Sequence, residues 1–61
     1  MKMNEMLEPG MIVLNPNRPD WGEGQVQSRI ADRITVNFAH AGKQVLDGRR
    51  VRLELVSLDH G

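Results

Sequence analysis

Cysteine and tyrosine are absent from this 61-residue chain, and its aromatic residues are one tryptophan and one phenylalanine, Trp21 and Phe38. No disulfide and no thiolate metal site is therefore available. The lack of cysteine fits a cytoplasmic protein. Two rings are too few to stack a run of bases or to box a methylated amine. An excess of either charge is also lacking: 8 Lys and Arg stand against 8 Asp and Glu, for a formal net charge of +0. Strong nonspecific nucleic-acid binders carry a large positive excess because they neutralise several phosphates, so any such binding here is confined to a local patch. No apolar run approaches the roughly 20 residues of a membrane span. The opening "MKMNEMLEPG" has a lone lysine and no apolar h-region, so it does not read as a secretory signal. No stretch sustains a 3.6-residue period long enough for an ordinary helix, which excludes helix-turn-helix and zipper readings.

What the chain does contain is alternation. "RITVNF" (33–38) sets Ile34, Val36 and Phe38 on one face against Thr35 and Asn37. "MIVLN" (11–15) is a short apolar run. "GQVQS" (24–28) holds Val26 between two glutamines. In "KQVLD" (43–47) Val45 and Leu46 compete for the inner face. "VRLELV" (51–56) alternates Val51, Leu53 and Leu55 with Arg52 and Glu54. The expected core is Val13, Val26, Ile34, Val36, Phe38, Leu46, Val51 and Leu53. Between the strands lie the long loop "PNRPDWG", the tight connections "RIAD" and "AHAG", and "DGRR" with its Asp-Gly turn signal. Residues 1–8 read as a flexible N-terminal segment, although Met3, Met6 and Leu7 are spaced for one helical turn. Pro9-Gly10 opens a single domain over 9–58, and 59–61 form a tail. A chain this short buries only about 60% of the surface its unfolded form exposes. The expected fold is all-β: a small five-stranded SH3-like (Tudor-like) barrel, with a long first loop, two tight hairpins and a short 3₁₀ turn before the last strand.

The segments "PGMIVLNPNRPDWGEGQV", "TVNFAHAGKQVL" and "VRLELV" resemble a small bacterial family of unknown function. More distantly they resemble the C-terminal Tudor-like domain of the UvrD/PcrA helicases. The positions that carry the helicase likeness are Gly10, Val13, Gly22, Gly24, Val26, Val36, Phe38, Gly42, Leu46, Leu53 and Glu54, with Trp21 where that domain has a phenylalanine. The helicase domain is an RNA-polymerase-interacting module, akin in fold to those of CarD-type regulators and transcription-repair coupling factors. The resemblance thus implies an SH3-like barrel with a partner in transcription or DNA repair. This chain carries no helicase motor.

The candidate chemistry is sparse. Gly22-x-Gly24 leads into a strand rather than a helix, and Glu23 would repel an anion. It therefore reads as a sharp turn and β-bulge rather than a phosphate loop. Asp20, Asp32 and Asp47 sit in turns, where aspartate bonds local backbone. His40 and His60 have no metal-ligand spacing, and Ser28, Thr35 and Ser57 have no local histidine. No catalytic residue, cofactor or metal is expected, and the chain reads as a non-enzymatic interaction module. Trp21, flanked by Asp20 and Glu23, is either a plug over one end of the barrel or an exposed docking anchor of the kind enriched at interfaces. Lys43, Arg49, Arg50 and Arg52 form either a solvated rim or a basic patch, with Arg29 and Arg33 beside the 29–32 connection. The expected partner is a protein, such as an RNA polymerase subunit, with pairing along an edge strand as one mode. Weak nucleic-acid binding through the basic cluster is the alternative, and self-association a third reading.

Overall fold

The computed structural model describes residues 7–57. Within them lie five strands: β1 (Ile12–Leu14), β2 (Gly24–Ile30), β3 (Arg33–Phe38), β4 (Gly42–Asp47) and β5 (Glu54–Ser57). One 3₁₀ turn spans Pro19–Trp21, and no α-helix occurs among the described residues. All pairings are antiparallel and join the strands into one sheet in the order β4-β3-β2-β1-β5. The sheet is not closed into a barrel, so β4 and β5 are its edges. The readings of Met3, Met6, His60 and the 59–61 tail lie outside the described residues.

Alternation places the core on one face. Val13, Val26, Ile34, Val36, Phe38 and Leu53 are buried as expected, and Leu46 and Val51 pack at the margin. Leu7 joins this core at 4% exposure, so the packed domain begins ahead of Pro9-Gly10. Arg29 fastens that segment, donating from Nε to the Leu7 carbonyl (3.2 Å) and from Nη1 to the Ala31 carbonyl (3.2 Å). In the contest within β4, Leu46 turns inward because it pairs with buried Ile34, and Val45 is left 59% exposed.

Three details differ from the sequence expectation. The 3₁₀ turn is at Pro19–Trp21, in the first loop; before the last strand, the N–H groups of Arg50 and Val51 both donate to the Asp47 carbonyl, in turns at 48–50. Proline pre-sets the backbone angle needed to start a tight helical turn, and "PDW" has it where "DGRR" does not. The last strand begins at Glu54 rather than residue 51; Val51 and Leu53 pack at the core from the segment ahead of it. The bulge in β2 falls between Val26 and Ser28, not at the glycine pair.

Register also sorts the loops. Val13 pairs with Gly24, Gly24 with Phe38, Phe38 with Gly42, and Leu14 with Glu54. One end of the sheet therefore gathers the 15–23 loop, the 39–41 turn and the approach to β5. The opposite end carries the 31–32 and 48–50 turns.

Candidate interaction site

The first loop is built residue by residue to hold one shape. The Asn15 side chain is buried, and its Oδ1 accepts from the Asn17 N–H (3.0 Å), an Asx turn that closes the end of β1. The Asn15 carbonyl accepts from the Arg18 N–H (2.9 Å). Pro19 opens the 3₁₀ turn, in which the Trp21 N–H donates to the Arg18 carbonyl (3.0 Å) and the Gly22 N–H to the Pro19 carbonyl (3.2 Å). Gly22 leaves the turn at φ 75, in the left-handed region. A Cβ at Gly22 would also lie 2.6 Å from His40 Cδ2, so this loop and the 39–41 turn touch. Two backbone hydrogen bonds lock that contact: the His40 N–H donates to the Trp21 carbonyl and the Ala39 N–H to the Glu23 carbonyl, each at 2.9 Å.

Trp21 is thereby fixed at the end of the sheet. Its ring meets Phe38 at a centroid distance of 5.1 Å and a tilt of 56°, the inclined geometry that suits two ring quadrupoles. The tryptophan is only half-buried, so it both caps the core edge and remains open to solvent. The Arg18 guanidinium lies over the ring, 4.9 Å from its centroid. Asp20 holds that guanidinium with a fork: Arg18 Nε donates to Oδ1 (3.3 Å) and Nη2 to Oδ2 (3.1 Å). Asp20 therefore clamps a cation over the ring rather than standing free beside it. Arg18 was not among the sequence candidates. Its signal was its spacing, three residues before the tryptophan and immediately before the proline that starts the turn.

The Arg18 hydrogen bonds hold the Asp20 carboxyl below the ordinary carboxylate range. A lowered folded pKa means the clamp is intact above the ordinary value of about 3.9 and is lost as pH falls through the lowered value. The Asp20-dependent change in Trp21 emission, read as the difference between the parent and Asp20→Asn, is therefore expected only below about pH 4. A difference centred at or above the ordinary carboxylate pKa, or no difference at all, would contradict the clamp.

The remaining candidates do not form one patch. Glu23 and Lys43 lie at the Trp21 end, next to the 39–41 turn, and Arg52 precedes the start of β5 at that same end. Arg49 and Arg50 lie at the opposite end of β4, roughly 14 Å along the strand from Lys43. There Arg49 faces Asp32 (3.5 Å) and Asp47 (3.9 Å), and Arg50 faces Asp47 (3.8 Å). These exposed pairs offset the local positive charge. Arg33 is at that end too, paired across the sheet with Asp47. Among the described residues no group of three or more His, Cys, Asp or Glu is placed to hold a metal ion. No helix among them is long and apolar enough to cross a membrane.

The chain belongs to the family described as "Protein of unknown function (DUF3553)", whose model matches residues 7–56. No curated protein and no solved structure matches it.

Proposed function

We propose that this chain is a non-catalytic interaction module that docks a protein through the Trp21 end of its sheet. The observation that carries the reading is the half-buried Trp21 ring, seated on Phe38 and held on a loop bonded to the 39–41 turn. Tryptophan dominates many protein interfaces, and a side chain presented on a pre-formed loop loses little entropy on binding. Arg18, clamped by Asp20 over the ring, adds a second group of the kind enriched at such anchors. Glu23, Lys43 and Arg52 surround that end with exposed charges of both signs, which suit a polar rim.

The partner class comes from the resemblance to the helicase C-terminal Tudor-like domain, whose Phe position Trp21 occupies. We assign the fold to the SH3-like plan on connectivity. A long first loop, two tight hairpins and a return of the fifth strand onto β1 all fit that plan. RNA polymerase is the partner this likeness favours, which would place the module in transcription or repair within the cytoplasm. Neutral net charge and the acids beside Arg49 and Arg50 weigh against a nucleic-acid surface.

The test is a pull-down from the source lysate, scored for RNA polymerase subunits with and without nuclease. Subunits retained after nuclease, and lost with Trp21→Ala, are the expected result. Loss of all captured material after nuclease would transfer the function to nucleic acid.

A further inference from the structure

The two edges of the sheet are not alike. β5 is short, and its pairing with β1 slips between Ile12 and Val13, so that Ser57 and Leu55 take consecutive partners and Val56 bulges. Short length and a bulge both blunt an edge against further pairing. β4 has neither protection. It runs six residues, and its ladder with β3 proceeds without a register shift from Gly42 to Asp47. Among the described residues its only neighbour in the sheet order is β3. Alternate backbone groups of such a strand point away from the sheet and can accept another strand.

The side chains of β4 read "GKQVLD". Lys43, Val45 and Asp47 share the outer face with Asn37, Thr35 and Arg33 of β3. Lys43, Val45 and Asp47 are all exposed, Val45 at 59%, and Val45 shares a shallow groove on that face with the exposed Ile30. The pattern is symmetric about Val45: a cation two residues before it, an anion two residues after. Residues directly opposite in an antiparallel pair place their side chains on the same face. When a strand pairs with a copy of itself about Val45, Val45 meets Val45, and Lys43 of each copy meets Asp47 of the other. Gln44 then meets Leu46 on the inner face. A shift of one residue would instead set the outer face of one copy beside the inner face of the other. Centring the pairing on Leu46 would place Lys43 opposite Arg49, like against like.

We propose that β4 is a self-pairing edge: two copies of this chain join antiparallel, β4 to β4, about a two-fold axis through Val45, with Lys43 of each opposite Asp47 of the other. The occupant is a second copy because the charge pattern complements itself, as an isologous interface requires. The contact continues one sheet across both copies. It is a weak, concentration-dependent dimer, since one edge pair covers less surface than a stable interface. It engages the β4 edge, sharing Lys43 with the rim of the Trp21 end, and it needs neither Trp21 nor the docking role proposed above.

The test is sedimentation velocity of the full chain at concentrations up to about 1 mM, the weak limit of measurable affinity. The parent is expected to shift from monomer to dimer across that range. Lys43→Asp and Asp47→Lys each set like charges opposite one another and should weaken association about tenfold or more. An equimolar mixture of these two variants restores two opposite-charge pairs and should associate as a one-to-one heterodimer at least as readily as the parent. Asp47 also bonds the Arg49 N–H, so the fold of Asp47→Lys is checked by its melt. Val45→Lys, at an exposed site outside the turn, is the second variant and should abolish dimerisation with the melt unchanged. Amide exchange should slow with concentration along β4 and not along β5. A parent that stays monomeric, or a dimer indifferent to Val45→Lys and to the charge exchanges, overturns the proposal.

Discussion

Phe38→Ala is expected to unfold the domain, at a cost of about 3–5 kcal/mol. A chain of this size has a total stability of only about 3–9 kcal/mol, so the loss takes at least about a third of it and can exceed it. Phe38 is 2% exposed at the last position of β3, with Gly24 opposite it at the start of β2 and Gly42 at the start of β4. The ring leans over Gly24, where a Cβ would come within 2.6 and 2.8 Å of two of its carbons. It also seats Trp21, so removing it opens the core and unsupports the loop above. A thermal melt followed by circular dichroism checks this. A cooperative transition near the parent temperature would contradict the packing described.

The second large effect is the reverse kind of change, an addition. Gly24→Ala is expected to cost about 1–3 kcal/mol, or more, by overpacking. The new methyl would sit 2.5 Å from Val36 Cγ1 as well as against the Phe38 ring. Val36 and Phe38 are both buried and cannot swing aside into solvent. The Gly24 backbone cannot retreat either, because it pairs with Val13 on one side and Phe38 on the other. Gly22→Ala is the contrast: its methyl meets an exposed His40 ring that can move, and the residual cost of about 1–2 kcal/mol comes from the left-handed backbone. Urea midpoints of the two variants give the comparison. A Gly24→Ala midpoint indistinguishable from the parent would contradict the close approach.

The parts of the fold that were readable in the sequence are those where one physical signal acts alone. "RITVNF" has β-branched and aromatic residues at period two and no competing phase, so β3 and its three buried side chains follow directly. In β4 the signal is ambiguous. Val45 and Leu46 are both apolar neighbours, and only the pairing of Leu46 with Ile34 decides which faces inward. Alternation in 51–56 points to Val51 and Leu53, which pack at the core, but Leu55 on the same phase is 41% exposed, and the pattern does not say whether the backbone is paired, so β5 begins at Glu54 rather than at residue 51. Leu7 lies in a mostly polar segment ahead of Pro9-Gly10, and its burial depends on long-range contacts that no local pattern announces. At the candidate site Trp21 was evident from its isolation in a polar loop. Arg18 was not, because its role arises from a fork to Asp20 and a position over the ring that only the folded loop creates.

Trp21 is the single tryptophan of the chain, so a label at that ring reports on the proposed docking surface alone. The decisive measurement is iodide quenching of 5-hydroxytryptophan incorporated at position 21 and excited beyond the absorption of ordinary tryptophan, on the free protein and again with RNA polymerase added. A ring partly open to solvent should be partly quenchable in the free chain and become protected when the polymerase binds, while Trp21→Phe should weaken capture with little change in melting temperature. A blue-shifted, unquenchable signal in the free protein, or quenching unchanged in the presence of bound polymerase, would show that Trp21 only caps the sheet and is not the docking residue.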